Sequence, residues 1–336
     1  GLWKFNYVSD PTQRPMDFYK NDYDVSSWKD IKVPANWQLE GYGAPNYVNM
    51  RVDFTDKPVA GEVANNYNPT GSYKRDFDLP SDWQNKQVFA YFGAVKSAFY
   101  IWVNGKKVGY SQDSKSPAEF DITDYVQAGK NHIALEVYRW SDGTYLELQD
   151  MWRVSGIERD VYLYATPKVH LRDFHADAGL SDNFLVGDLR FSAQIKNDGA
   201  SAQQGYQLQI DINDAENKII VSKKLSLDEL EAGQQQQLSF TQLINNISPW
   251  NAEQPNLYGL SIRLLDEQGD IQQVIRSRIG FKRSELKNGN VLINGKPVLF
   301  RGVNRHEHDE YTGHVISRES MRHDMELLKQ YNINAV

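Results

Sequence analysis

Four stretches of this 336-residue chain crowd side chains that could do chemistry. Near the end, the apolar run Val298-Leu299-Phe300 gives way within a few residues to Arg305-His306-Glu307-His308-Asp309. A strand ending in charged residues can carry chemistry at its tip, because the strand is rigid and the tip meets solvent. On a strand His306 and His308 point to the same side, and such a pair could hold zinc through imidazole nitrogens. Hydrogen bonds from a histidine to Glu307 or Asp309 are the structural alternative. The second stretch, Arg139 to Arg153, packs Asp142, Glu147 and Asp150 with two arginines and two tryptophans. Burying such charges is costly unless they pair or bind something. Oxygen ligation of a cation and arginine–carboxylate pairs that pin the loop account for it equally well. The third, Gln112-Asp113-Ser114 with Glu119 and Asp121, reads on its own as a solvated loop. The fourth runs from Pro34 to Asn49 and is rich in Gly, Pro and Asn. Its Asn and Tyr side chains can bind hydroxyls, but by composition it is a loop satisfying its own backbone.

These stretches need elements to position them. After the histidines, Ser317 can cap a helix whose apolar face is Met321, Met325 and Leu328, with Leu327 and Tyr331 beside it. Asn332 can end that helix in a left-handed turn, and Ile333-Asn334-Ala335-Val336 reads as the next strand. This is one β/α unit of the kind that carries catalytic groups at the C-terminal ends of its strands. A closed barrel needs eight such units in about 250 residues. The chain is therefore expected to be a fragment that stops inside a catalytic barrel. Its opening, Gly1-Leu2-Trp3, has no initiator Met, so residues are expected to be missing there too, and the compartment cannot be read; cytoplasm is favoured over periplasm.

The rest of the pattern is β. Alternating runs recur at Trp3-Phe5-Tyr7, Tyr73-Arg75-Phe77, Val88-Ala90-Phe92, Phe99-Ile101-Val103 and Ile133-Leu135-Val137, with turns expected at Asn104-Gly105 and across Ala128–Asn131. Residues 1–168 thus read as a sandwich or jelly roll. Residues 169–282 hold about seven further strands, among them Tyr206-Leu208-Ile210-Ile212 and the run with Leu260, Ile262 and Leu264. The tract from Gly233 through four glutamines reads as a loop. This fits an immunoglobulin-like sandwich that spaces and supports its neighbours. Residues 283–336 open with a hairpin turning at Asn294-Gly295 and feed the start of the barrel.

The composition, 40% apolar and 24% charged, is that of an ordinary globular protein. A net charge of −7 with no basic run argues against nucleic acid as a partner. No uninterrupted apolar segment is long enough for a membrane helix, and the absence of cysteine excludes disulfides and thiol chemistry. The 8 Trp, 19 Tyr and 14 Phe suit sugar stacking, but β-rich cores use many aromatics anyway.

Taken together, Val33-Pro34-Ala35-Asn36-Trp37-Gln38, Asn68-Pro69-Thr70-Gly71, Gln112-Asp113-Ser114, Arg139 to Arg153, Pro255-Asn256-Leu257-Tyr258 and Arg301 to His308 resemble the N-terminal third of a glycoside hydrolase family 2 β-galactosidase of the large bacterial type. The resemblance implies a mainly β chain: a jelly-roll sugar-binding domain, an immunoglobulin-like sandwich and the first β/α unit of a truncated TIM barrel. It implies a retaining enzyme that removes terminal β-D-galactose, with Mg2+ and Na+ as cofactors and a homo-oligomeric assembly. Asn49 resembles an asparagine that reaches the galactose site from the first domain. Asp150 resembles an aspartate that contacts the sugar and helps hold sodium, and His306 a histidine that hydrogen-bonds sugar hydroxyls. Gln112 and Asp142 match positions near a magnesium site that also draws on a segment preceding this chain. Asp309 departs from the histidine often found there. No residue here matches the acid/base or the nucleophile, which in the family lie on later barrel strands, beyond Val336. Glu307 lacks the second carboxyl, about 5–5.5 Å away, that a retaining glycosidase needs. The Ser141-Asp142-Gly143 and Gln149-Asp150-Met151-Trp152 segments favour galactosides over the glucuronides or mannosides of related enzymes. A lectin-like module that binds sugar without cleaving it and a zinc-dependent barrel hydrolase using His306 and His308 are the rival readings.

Overall fold

The computed structural model describes residues 1–49, 51–63 and 67–336, and the chain divides into two compact units. The first comprises Gly1–Ala165 with Arg305–Glu326, and the second Thr166–Asn304 with Leu327–Val336.

The first unit is built on a six-stranded antiparallel sheet in the order Lys29–Lys32, Leu2–Val8, Thr70–Leu79, Gly129–Tyr138, Ala98–Val103, Lys106–Gln112. The period-two patterning does what it predicts: Phe99, Ile101 and Val103 point inward and are buried, while Trp102 faces out and stacks on Tyr19 at 5.0 Å. A second layer, Ala118–Asp121, Gln87–Phe92 and Val161–Thr166, packs on the same core, with Phe92 against Phe99 at 5.1 Å. Burying each such side chain contributes about 1.5–3 kcal/mol. Asn104 and Gly105 both adopt positive φ, 49° and 79°, the geometry a two-residue hairpin needs to match strand twist. The turn expected across Ala128–Asn131 is shorter than predicted: Ala128 bends and Gly129 takes φ 75°. The strand Gly129–Tyr138 already includes Asn131, whose buried amide bonds Gln127 O and Gly129 O at 2.8 Å each. A side chain able to satisfy the neighbouring backbone starts a strand here instead of breaking it.

The second unit contains a sandwich of two sheets, Val169–Leu180/Val186–Asn197/Gln235–Asn245 and Ile219–Ser226/Gln207–Asn213/Tyr258–Leu265/Ile271–Ile279, beside a small sheet of Ser284–Lys287, Asn290–Ile293 and Lys296–Pro297. The three-and-four-stranded sandwich closes over Leu189, Ile195, Leu208, Ile210, Ile262 and Phe281. The glutamine tract is a loop only at its start, since Gln235 opens a strand that pairs with Lys196. Cross-strand pairing overrides its low hydrophobicity. In the same unit Asn294-Gly295 turns a hairpin, φ 50° and 75°, between Asn290–Ile293 and Lys296–Pro297.

The helix runs Arg318–Gln330, with Ser317 Oγ accepting the Ser320 amide at 3.0 Å and Asn332 at φ 58°. The expected strand through Asp309 does not form. Residues 298–301 and 303–308 are irregular, and Gly302 makes a single parallel bridge to Ala335. Around that bridge the Asn334 amide donates to Arg301 O at 3.0 Å and the Val303 amide to Ala335 O at 3.3 Å, while the Asn334 side chain donates to Leu299 O and accepts the Arg301 amide. Beyond Val303 this backbone pairing does not continue among the described residues, so no strand extends to Asp309. No described helix is long and apolar enough to cross a membrane.

Candidate functional site

The Pro34–Asn49 and Arg139–Arg153 stretches meet. Asn46–Val48 pairs antiparallel with Met151–Arg153, Met151 opposite Val48 and Trp152 opposite Tyr47. Asn49 and Asp150 are the residues that adjoin the ribbon's end pair, Val48 and Met151. The ribbon is exposed: Tyr47 is 54% and Trp152 38% accessible, and their rings meet edge to face at 5.4 Å. Asp150 accepts a hydrogen bond from Tyr47, which raises the phenol above its ordinary pKa by favouring its protonated form. The result is a carboxylate beside an amide and two aromatic rings, a set that can accept from hydroxyls and stack on a ring.

The arginines hold this ribbon in a way the sequence did not suggest. Arg153 donates to the carbonyls of Glu147 at 3.0 Å and Asn49 at 3.1 Å, and Arg139 to those of Ala44 and Arg153 at 3.3 Å each. Arg139 also lies over the Trp140 ring at 4.7 Å. Both arginines are buried. The pinning partners are therefore backbone carbonyls, not carboxylates, and Asp150 makes no ion pair with Arg153 among the described residues. Buried carbonyls need donors, and a guanidinium supplies several from one side chain.

His306 and His308 are exposed, and with no strand there the alternation that would put them on one side is absent. No hydrogen bond or ion pair joins His306 to Asn49 or Asp150 among the described residues. Its neighbours are tied: Arg305 to Asp324 at 2.6 Å, and Glu307 to Arg159 and, at 4.0 Å, to Arg305. Glu307 is thus held as an ion-paired carboxylate. Asp309 caps a turn, accepting the amides of Tyr311 and Thr312 at 2.9 Å.

Below this segment lies a buried ionic network that sequence reasoning missed. Glu158 Oε1 accepts from Asn36 Nδ2 at 3.1 Å and from His314 Nδ1 at 2.9 Å, and Oε2 pairs with Lys115. The His314 amide donates to Asn36 Oδ1 at 2.8 Å. Gly313, at φ 64°, is needed there: a Cβ would lie 2.6 Å from the same oxygen. Burial alone would raise the Glu158 pKa. The His314 hydrogen bond and the charges of Lys115, His314 and Lys96 outweigh it and bring the carboxyl down to about 2. Lys96, also buried, is lowered by desolvation against the opposing pull of Glu158. Nothing local marks Glu158. It sits between Ile157 and Arg159 and looks like an ordinary surface acid, and its partners come from up to 156 residues away.

Gln112 and Gly143, the residue after Asp142, line one hollow of about 410 Å³ together with Lys96, Lys115 and Glu147. Gln112 Oε1 accepts from Tyr110 OH at 2.8 Å, and Asp142 Oδ1 accepts the Gly143 amide at 2.9 Å. Oxygen donors suit a hard cation. The described residues nevertheless bring no three His, Asp or Glu side chains into metal-binding geometry, so these residues could be only part of a site. The third stretch disperses. Asp113 caps its own turn, Glu119 accepts from Tyr164 OH at 2.5 Å, and Asp121 binds Thr123 and Gln87.

Comparison with known proteins gives matches over almost the whole length. Residues 1–167 match the description "Glycosyl hydrolases family 2, sugar binding domain", residues 169–282 "Glycosyl hydrolases family 2" and residues 284–336 "Glycosyl hydrolases family 2, TIM barrel domain". The chain is 42% identical over 339 residues to a beta-galactosidase of Priestia megaterium, and 40% over 340 residues to one of Halalkalibacterium halodurans. It is 43% identical over 347 residues to one of Yersinia pestis. All of this chain is covered, but only 33%, 32% and 32% of those relatives, so the chain spans about a third of their length. Among solved structures, a beta-glucuronidase of Bacteroides uniformis superposes with a TM-score of 0.82 at 22% identity, over 99% of this chain and 38% of that one. A beta-glucuronidase of Bifidobacterium dentium does so at 0.77 and 19%, over 99% and 55%. At such identities these two show the fold alone.

Proposed function

The chain belongs to glycosyl hydrolase family 2, and from that premise we propose that it is part of a retaining β-galactosidase, to which it contributes sugar-binding groups and not the two reacting carboxyls. The substrate of a glycoside hydrolase is a carbohydrate; the galactoside is our reading. It rests on three β-galactosidase relatives at 40–43% identity over the whole chain, against glucuronidases at 19–22%.

The observation that carries the proposal is the ribbon of Asn46–Val48 and Met151–Arg153, at whose end Asn49 and Asp150 adjoin the Val48–Met151 pair, with Tyr47 and Trp152 on it. A galactosyl unit offers hydroxyls to an ionised acceptor and an apolar ring face to an aromatic. Hydrogen bonds to a charged group are worth about 1.5–3 kcal/mol. Asp150, exposed and anionic, also fits as one oxygen ligand of a sodium ion, and His306 can bond a further hydroxyl. Gln112 and Asp142 would serve a magnesium ion only with donors from elsewhere, and no step is assigned to it. In a retaining mechanism an acid protonates the leaving oxygen and a carboxylate 5–5.5 Å away attacks the anomeric carbon. Glu307 is ion-paired with Arg159 and, at 4.0 Å, with Arg305, and no reacting role is assigned to it.

The test is a rate comparison on aryl β-galactoside, β-glucuronide and β-mannoside with the full-length enzyme that contains this chain, beside the isolated chain. The galactoside should be turned over fastest by the enzyme and not at all by the chain. A glucuronide preference would overturn the substrate assignment, and turnover by the chain alone would return Glu307 to consideration as a reacting group.

A further inference from the structure

Resting on the reading of His306 as a sugar-contacting residue, we infer that Arg159 and Glu158 are positioning residues: two adjacent fasteners that fix the His306 segment onto the first sandwich. Backbone pairing does not hold that segment. Residues 303–308 lie outside any strand or helix, and the backbone of residues 304–308 makes no backbone–backbone hydrogen bond among the described residues. Irregular backbone keeps a side chain in place only if something else ties it.

The ties are side chains. Arg159 Nη2 pairs with Glu307, the residue next to His306, while its Nη1 donates to His314 O at 2.8 Å. Glu158, one residue earlier, takes His314 Nδ1 at 2.9 Å, and Asn36 takes the His314 amide at 2.8 Å. The segment between Glu307 and His314 is therefore clamped at both ends by one dipeptide that leads into the strand Val161–Thr166. On the other flank Arg305 is held by Asp324 of the helix. His306 is thus the free residue between two restrained ones, exposed and with no bonding partner of its own among the described residues.

The two fasteners differ in kind. Glu158 is wholly buried, so its loss threatens folding; the Arg159–Glu307 pair is partly exposed, 32% and 45%, and such pairs add little stability. What the exposed pair can supply is direction. A misplacement of about 1 Å can cost on the order of a hundredfold in rate, and the loss of one of several restraints should cost less.

The experiment uses the full-length enzyme with Arg159→Gln, Glu307→Gln, His306→Ala and the double variant Arg159→Gln/His306→Ala, read as kcat/KM on an aryl β-galactoside and as melting temperature. Arg159→Gln and Glu307→Gln should each lower kcat/KM by about tenfold with an unchanged melting temperature. Adding Arg159→Gln to His306→Ala should cost nothing more, because the group it positions is gone. If Arg159→Gln is silent while His306→Ala is damaging, or if its loss persists undiminished in the His306→Ala background, Arg159 does not act through His306. If His306→Ala is itself silent, the reading of His306 fails and the positioning role fails with it. Glu158→Gln, provided its melting temperature shows a folded protein, should reproduce the Arg159→Gln loss; a folded Glu158→Gln at full activity would remove Glu158 from the inference.

Discussion

The two sandwiches solve the same packing problem with different interiors. In the second, the buried residues are almost all aliphatic or aromatic, and Asp211, paired with Arg263, is its one buried Asp, Glu, Lys or Arg among the described residues. The first buries Lys74, Lys96, Glu136, Arg139, Arg153 and Glu158. Buried charge is a costly way to build stability, and here it is spent on geometry. Arg139 and Arg153 hold the Asn49–Asp150 ribbon by its carbonyls, and Glu158 holds the segment that carries His306. The second sandwich has the single Asp211–Arg263 pair in place of such a set. Stability and function are therefore expected to respond differently to mutation in the two units.

The sharpest contrast compares Glu158→Ala in the first unit with Leu189→Ala in the second. Removing one partner of a buried ionic network costs about 3–5 kcal/mol, and a Leu→Ala cavity about 2–5 kcal/mol. Seven of the eight tryptophans, all but Trp250, belong to the first unit. Urea unfolding followed by tryptophan fluorescence should therefore shift strongly for Glu158→Ala and little for Leu189→Ala. Equal shifts would mean that the units unfold together and that the comparison has no thermodynamic content.

Acid should separate the units as well. The Glu158 carboxyl, about 2 when folded, lies below its ordinary 4.5. A lowered folded pKa means the stabilisation is present above about pH 4.5 and is lost as pH falls towards 2. The first unit should weaken over that window, and Glu158→Gln, less stable at neutral pH, should show a flatter acid limb. An unchanged acid limb in the variant would mean that other carboxylates set it.

Arg153→Ala should cost about 1.5–3 kcal/mol, since it leaves the carbonyls of Glu147 and Asn49 without their charged donor. Arg153→Lys should recover only part of this, because an ammonium cannot span both carbonyls as a planar fork does. Full recovery would show that charge, not geometry, holds the ribbon. The smallest effect is expected at the helix start, where Ser317→Ala removes the cap on Ser320 for about 1 kcal/mol.

Much of this was legible in the sequence, for a physical reason. Period-two burial, the Asn-Gly turns and the Ser317 cap are local signals, and each appears where local rules put it. The run through His306 has strand character at its apolar start, but pairing is a long-range property, and the backbone pairing with the segment around Ala335 stops at Val303 among the described residues. The ribbon that joins Asn49 to Asp150, and the network around Glu158, join residues about a hundred or more positions apart. The sequence marked the first by crowding aromatics and charges into Arg139–Arg153; it marked the second with a single glutamate of no distinction.

The account turns on Asp150 as a sugar-contacting acceptor that can also ligate sodium. Asp150→Asn in the full-length enzyme keeps the shape and removes the charge. Since each ~1.4 kcal/mol is a factor of ten, kcat/KM on an aryl β-galactoside should fall by roughly tenfold or more. The melting temperature should hold and any sodium dependence should be blunted. An unchanged kcat/KM and sodium response, with a lowered melting temperature, would make Asp150 a structural partner of Tyr47 and contradict the account.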